Sequence, residues 1–294
     1  MQLFEQLING LQLGSIYALI AIGYTMVYGI AKLINFVHGD FIMFGGYLTF
    51  WLLPVFIRFN IPVVLIFIPV ILGCALLGFI VEKVAYKPLR ESSRITLLIT
   101  AIALSLFIEN VFMVIFEGRS STVQPIFNLK PVAIGSIMVS MNSIITIAIS
   151  LLSMLILHLV VNKTRVGKAM RAVSQNKDAA KLMGININKI ISITFIIGGA
   201  LAGIASVMYV NTYQFVKFDM GSMLGLKAFV AAVLGGIGSI PGAMLGGFLI
   251  GLVEVLSVSY ISSQLANAIV FTILIIILIF KPNGILGKRQ NIKV

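Results

Sequence analysis

Long apolar runs separated by short polar stretches dominate the chain. Runs close to or above the ~20 residues that cross a hydrocarbon core occupy 11–30, 41–57, 63–81, 95–116, 144–161 and 190–210. Three further runs, 224–240, 243–258 and 265–280, are individually short, and the first two are glycine-rich and broken around Pro241. None of the nine alternates apolar and polar positions as a barrel strand does. A lone chain in lipid must also satisfy its backbone internally, so helices are expected throughout. The pattern therefore predicts an all-α polytopic membrane protein with eight or nine crossings, held in a single membrane domain over 1–294. The stretch 235–242 either crosses the membrane as part of a span or is re-entrant, and in the second case the parity of the crossings and the side of the N-terminus change.

Lys and Arg set the orientation, since short cytoplasmic loops are enriched in them. Three stretches stand out: Lys83, Lys87, Arg90 and Arg94; then Lys163, Arg165, Lys168, Arg171, Lys177, Lys181 and Lys189; and finally Lys281, Lys288, Arg289 and Lys293. Placing all three in the cytoplasm requires an odd number of crossings after 210. Three crossings fit, giving nine in all with the N-terminus outside. Arg58, Arg119, Lys130 and Lys217 are then left on outer loops.

Composition agrees with the pattern: hydrophobic residues make up 60% of 294 positions and charged residues 10%, against roughly 25% charged in a soluble domain. The net charge of +12 is not a nucleic-acid footprint, because no polar domain exists to carry it. Cys74 is the single cysteine, which excludes an intrachain disulfide and a cysteine metal cluster. Residues 1–6 hold Glu5 and no Lys or Arg, so the first run is expected to remain as a span and not to be cleaved as a signal peptide.

The polar stretch 162–189 is helical and amphipathic. One short helix is expected over 166–173 and a second from Lys177. On the second, Ala179, Ala180, Leu182 and Met183 are expected to share one face opposite Lys177 and Lys181, with Asp178 in the first turn and Gly184 as terminator. A basic amphipathic helix of this kind suits a lipid surface of headgroups. It also suits a socket that receives a cytoplasmic motor.

At this point the residues match a known family. Asn9-Gly10-Leu11-Gln12-Leu13-Gly14-Ser15-Ile16-Tyr17-Ala18-Leu19, Gly23-Tyr24-Thr25-Met26-Val27-Tyr28-Gly29 and Ile34-Asn35-Phe36-Val37-His38-Gly39-Asp40 resemble the LivH-type permease subunit of branched-chain amino acid ABC importers. The loop Thr164-Arg165-Val166-Gly167-Lys168-Ala169-Met170-Arg171-Ala172-Val173, with 178–186, resembles the coupling loop of that family, and the glycine-rich 198–203 and 234–243 resemble its later segments. The resemblance covers nearly the whole chain. It implies a plasma-membrane complex of two permease subunits, the second LivM-like, two cytoplasmic ATP-binding subunits and an external solute-binding protein. It also implies that Asp178, Ala179, Ala180, Leu182, Met183 and Gly184 couple to the ATPase. Permeases of urea and amide importers are similar enough to remain alternatives for the substrate.

The remaining motifs carry little chemistry. Gly167-Lys168-Ala169 and Gly287-Lys288-Arg289 lack the spacing and hydroxyl residue of a phosphate loop, so ATP hydrolysis is expected in a separate subunit. Gly236-Ile237-Gly238-Ser239-Ile240-Pro241-Gly242 has its third glycine one place late for a dinucleotide fingerprint. Glycines at four-residue spacing, Gly238, Gly242 and Gly246 and also Gly199 and Gly203, permit close helix approach. His38 and Asp40 have too few companions for a metal site and are expected in a headgroup-level turn, with Asn35 as a helix cap; no cofactor is expected.

Glu109 with Asn110, and Glu254, lie inside spans, where a carboxylate costs a few kcal/mol unless it faces protein or water. They are candidates either for structural pairing or for lining the translocation path. The competing function classes are a self-sufficient secondary transporter or channel, against which there is no convincing inverted repeat, and a membrane enzyme, which would need a cluster of nucleophile, base and metal ligands.

Overall fold

The computed structural model describes residues 2–127, 129–134 and 137–287. Helices fill all nine apolar runs. The elements are α1 (Gln2–Ala31), α2 (His38–Arg58), α3 (Phe67–Val81), α4 (Arg94–Ile115), β1 (Ser121–Thr122), β2 (Val132–Ile134), β3 (Ile137–Val139), α5 (Met141–Lys163), α6 (Arg165–Gln175), α7 (Lys177–Leu182), α8 (Ile187–Tyr213), β4 (Phe215–Val216), α9 (Met220–Gly235), α10 (Ile240–Tyr260) and α11 (Ala266–Phe280). A 3₁₀ turn, Val63–Ile66, leads into α3 and a π turn, Glu82–Tyr86, extends it.

Among the described residues, seven helices are long and apolar enough to cross a membrane, counting Val63–Tyr86 as one. With 16 and 15 residues, α9 and α11 reach only about 24 and 22 Å, short of a ~30 Å hydrocarbon core. The chain is a multi-pass integral membrane protein.

α1 is the buried spine, packed by α10, α8, α9 and α5. Small residues let the backbones close in: a side chain at Gly247 would strike Ala18, and one at Gly251 would strike Gly14. Gly242 and Gly246 back onto Gly235 and Ala231 of α9 in the same way, while Gly199 and Gly203 admit α3 at Cys74 and Ile71. These glycines pack helix against helix as their spacing predicts, except that Gly238 stands in the open turn with φ of +96°. By contrast, α4 is exposed along most of its length and leans on α2 through Phe112 and Phe116, which pack against Tyr47.

One end of the bundle gathers the basic stretches. There Lys177 meets the end of α1, Arg90 meets Asn188 at the start of α8, and the backbone N–H groups of Ile285 and Leu286 donate to Leu234 and Gly235 at the end of α9 (2.8 and 3.0 Å). With the ends of α9 and α11 on one side, the stretch 235–242 neither spans nor re-enters: its residues 236–239 are the tight turn of the α9–α10 hairpin, and the three apolar helices after α8 alternate in direction. Lys288, Arg289 and Lys293 of the basic tail, like Met1, lie outside the described residues.

The opposite end carries short strands that were not anticipated. β1 pairs with β4 (Ser121 opposite Val216), β2 pairs with β3, and the Asn211 side chain accepts from the backbone of Ile126 and Phe127 at 2.9 and 3.2 Å. Pieces of two or three residues are too short to leave a periodic signal.

Candidate functional site

The cytoplasmic loop is built from caps. Thr164 accepts from the Gly167 N–H (3.0 Å), and Asn176 accepts from the Ala179 N–H (3.0 Å), starting α6 and α7. α7 stops in a Schellman turn: the Gly184 N–H bonds the Lys181 carbonyl and the Ile185 N–H bonds the Ala180 carbonyl, both at 3.0 Å. Gly184 takes φ of +77°, which L side chains adopt only with strain. The loop is seated on the bundle by Met170 and Val173 of α6, which are buried, and by Ala180 of α7, which is 3% exposed.

The face expected on α7 is divided. Ala180 turns inward together with Lys177, whose Nζ donates to the Ala31 carbonyl at 3.1 Å. Asp178, Ala179, Lys181 and Gly184 are exposed, and Leu182 and Met183 stand 89% and 82% exposed. The expectation failed because Ala180 lies on the far side of the helix from Leu182, and because the lysine stem is itself apolar enough to pack. Burial, and after it the positive charges of Arg90 and Lys32, hold the Lys177 ammonium below its ordinary range. Arg90 is also lowered by burial, against the pull of Glu82, with which it forms an ion pair.

The second feature lies within the bundle. The His38 ring sits where a Gly23 side chain would stand, and it also lies against Gly198. Gly23 precedes the end of α1 by eight residues, about 12 Å, and Gly198 follows the start of α8 by eleven, about 16 Å. α2 therefore begins deep inside the bundle, and residues 32–37 turn back to reach it. From the other end, residues 214–219 turn back inward, so that Gly221 of α9 touches the backbone of Gly39. The N-terminal turns of α2 and α9 thus meet, antiparallel, at mid-depth, and this re-entry is how the short α9 completes its crossing.

His38 and Asp40 are accordingly 0% and 1% exposed, not at headgroup level. Among the described residues their polar side-chain atoms have no hydrogen-bond partner. Asn35 does not cap α2; it accepts from the Tyr86 hydroxyl at 2.8 Å.

The three candidate path residues are not brought together. Glu109 accepts from the Ser222 hydroxyl of α9 and is half-buried, whereas Asn110 is exposed and turns its amide back to the Leu106 carbonyl at 2.7 Å. Glu254 of α10 is paired: Lys227 Nζ lies 2.7 Å from Oε1, and the Tyr17 hydroxyl donates to Oε2 at 2.8 Å. Glu254 borders a cavity of about 420 Å³ near the strand-bearing end, lined by α1, α8 and α10. No group of three or more potential metal-ligating side chains occurs among the described residues.

The family described as branched-chain amino acid transport system / permease component matches residues 6–279. The chain belongs to this family. It is 40% identical over 299 residues to the high-affinity branched-chain amino acid transport system permease protein BraD of Pseudomonas aeruginosa, covering 99% of this chain and 97% of that protein. It is equally similar, 40% over 300 residues with the same coverage, to the corresponding permease protein LivH of Escherichia coli strain K12. A probable branched-chain amino acid transport permease protein LivH of Methanocaldococcus jannaschii is 28% identical over 93% of this chain and 89% of its own length. No solved structure matches.

Family membership makes the chain the permease component of a transport system, and it directs attention to charged residues that sequence reading passed over. Lys227 sits inside the apolar run 224–240 and Glu82 at the end of another, yet both are buried and paired. A cation in one apolar run and a carboxylate in another was the available signal, because a buried charge in a span calls for a partner.

Proposed function

We propose that the chain is a single transmembrane permease domain acting as one permease subunit of an ATP-driven importer that moves branched-chain amino acids into the cytoplasm. The relatives named for that transport support the substrate class. The reading includes a second, LivM-like permease subunit, two cytoplasmic ATP-binding subunits and an external solute-binding protein. In it the ATPase activity resides outside this chain.

One observation carries the mechanism: Leu182 and Met183 project almost fully exposed from a capped helix whose inner side is fixed to the bundle. Two large apolar side chains side by side at the cytoplasmic end suit a groove in a partner. Asp178, Ala179, Leu182 and Met183 form the contacting surface, Ala180 seats it, and Gly184 sets its exit angle. Movement of a motor against α7 reaches α1 through Lys177 and Ala31.

In the same reading Glu109 and Asn110 face the second permease subunit or the path it encloses. A carboxylate and an amide on the outer side of a mid-membrane helix need protein or water opposite them.

The test is reconstitution of the chain with its neighbours in proteoliposomes. ATP-dependent accumulation of leucine, isoleucine and valine, fed by the solute-binding protein, is expected. Accumulation of urea or short amides instead would reassign the substrate, and accumulation without ATP would refute the importer.

A further inference from the structure

The cavity beside Glu254 combines three features that belong to one kind of ligand. Its charged corner is the Glu254 carboxylate, held at one oxygen by Lys227 Nζ (2.7 Å) and at the other by the Tyr17 hydroxyl (2.8 Å). A carboxylate offers about four acceptor positions, so two remain for a donor arriving from the cavity.

Its second wall is neutral and polar. Gln12 lines the cavity with its amide fixed from both ends: Nε2 donates to Thr212 Oγ1 at 2.8 Å, and Oε1 accepts from Ser143 Oγ at 2.6 Å. One N–H of Gln12 is left over, and the Asn9 amide lines the cavity beside it. The third wall is aliphatic, from Leu13, Val255 and Val258.

Charge balance narrows the ligand class. An unpaired carboxylate at this depth would select a cation. Glu254 is already neutralised by Lys227, so the corner as a whole carries no net charge and favours a ligand that is itself net neutral but separates its charges. An α-amino acid zwitterion has that form. Its ammonium would meet the free lone pairs of Glu254, its carboxylate the free amide N–H groups of Gln12 and Asn9, and its aliphatic side chain the apolar wall. The volume, about 420 Å³, falls within the ~300–1,000 Å³ usual for small-ligand sites.

We infer that this cavity is a seat for the zwitterion of an aliphatic α-amino acid at the outer end of the permease, with Glu254 and Gln12 as binding residues and Lys227 and Tyr17 as positioning residues. The inference deepens the importer reading and rests on it. It gives the permease a selectivity step of its own, after the external binding protein has released its load.

The assembled complex, with both permeases and both ATPases in nanodiscs and without the solute-binding protein, is tested for binding of radiolabelled L-leucine. Binding is expected, displaced by L-valine but at least tenfold less well by isoamylamine, which lacks the carboxylate, or by 4-methylpentanoate, which lacks the ammonium. Val258→Trp, which fills the cavity from its exposed rim, should abolish that binding and lower uptake in proteoliposomes at least tenfold while the complex still assembles. Glu254→Gln combined with Lys227→Gln, which leaves no orphan charge, should erase the preference for leucine over the amine and the acid.

If Val258→Trp binds leucine and transports it as the wild type does, the inference is overturned. Equal displacement by isoamylamine overturns it too, leaving a plain cation site, as does a wild-type complex that takes up leucine normally yet never binds it in this assay. A wild-type complex that accumulates no amino acid under ATP refutes instead the importer reading on which the inference rests.

Discussion

Lys177, the first residue of α7, reaches across to the last residue of α1 and donates to the Ala31 carbonyl at 3.1 Å. α1 is the buried spine of the bundle, and Ala31 is followed directly by the segment 32–37 that turns back to start α2 at mid-depth. The contact therefore joins a surface helix to the backbone that positions the central junction. The cation also satisfies a carbonyl at a helix C-terminus, where positive charge is favoured.

Replacing Lys177 by Met keeps the packed stem and removes the donor. The expected result is a complex that still binds its ATPases and still hydrolyses ATP, but whose uptake per ATP falls severalfold. Uptake and hydrolysis measured on the same proteoliposomes check this, and an unchanged ratio would remove Lys177 from the transmission route.

The junction of α2 and α9 makes a steric prediction. A methyl at Gly221 would run into the carbonyl of Gly39, whereas a methyl at Gly29 would meet Gly238 at an ordinary 3.5 Å. Overpacking of that kind costs about 1–3 kcal/mol. Gly221→Ala should lower the unfolding temperature of the purified protein by roughly 5 °C. Gly29→Ala, which gains helix propensity, should not lower it; thermal denaturation of the two variants side by side decides.

Sidedness is checked by labelling. Single cysteines at Ser92 and Gln175 should react with an impermeant thiol reagent only from the cytoplasmic face, and one at Thr122, an exposed strand position, only from the outer face. Reaction of Ser92 and Gln175 from opposite faces would break the nine-crossing arrangement.

Much of this architecture was legible in the sequence. Nine apolar runs, three of them short, became nine helices, because lipid leaves the backbone no other economical option. The end of the second loop helix was legible too, since Gly184 is a residue whose chemistry marks a helix terminus. The inner and outer faces of α7 were not, because six residues with two alanines give hardly more than a turn and a half of signal. His38 and Asp40 looked like a surface turn, because a polar stretch between two spans has the same composition whether it stays outside or folds back in. The Lys227–Glu254 pair joins residues 27 positions apart on different helices, a relation that only tertiary packing reveals.

Glu109 offers a test of the mid-membrane face. Glu109→Gln preserves shape and the contact with Ser222 while removing the charge, so assembly should persist and transport should drop by about tenfold, the change worth ~1.4 kcal/mol. Initial uptake rates at saturating solute-binding protein report it. Wild-type rates would make Glu109 a structural partner of α9 and nothing more.

The central claim is that α7 receives an external motor through its exposed apolar residues, and Leu182→Asp tests it most directly. With Leu182 89% exposed and touching little of its own chain, the change should leave insertion and folding intact. An unpaired carboxylate desolvated in a partner groove costs several kcal/mol, enough to weaken docking by about 100-fold or more. The measurement is co-purification of the ATP-binding subunits with the permease, made on Leu182→Asp and on Leu182→Met, which stays apolar. The account predicts that the ATPases are lost from Leu182→Asp, together with ATP-driven uptake, and retained by Leu182→Met. Full retention of the ATPases by Leu182→Asp, with uptake at the wild-type rate, would contradict it and return α7 to the lipid surface.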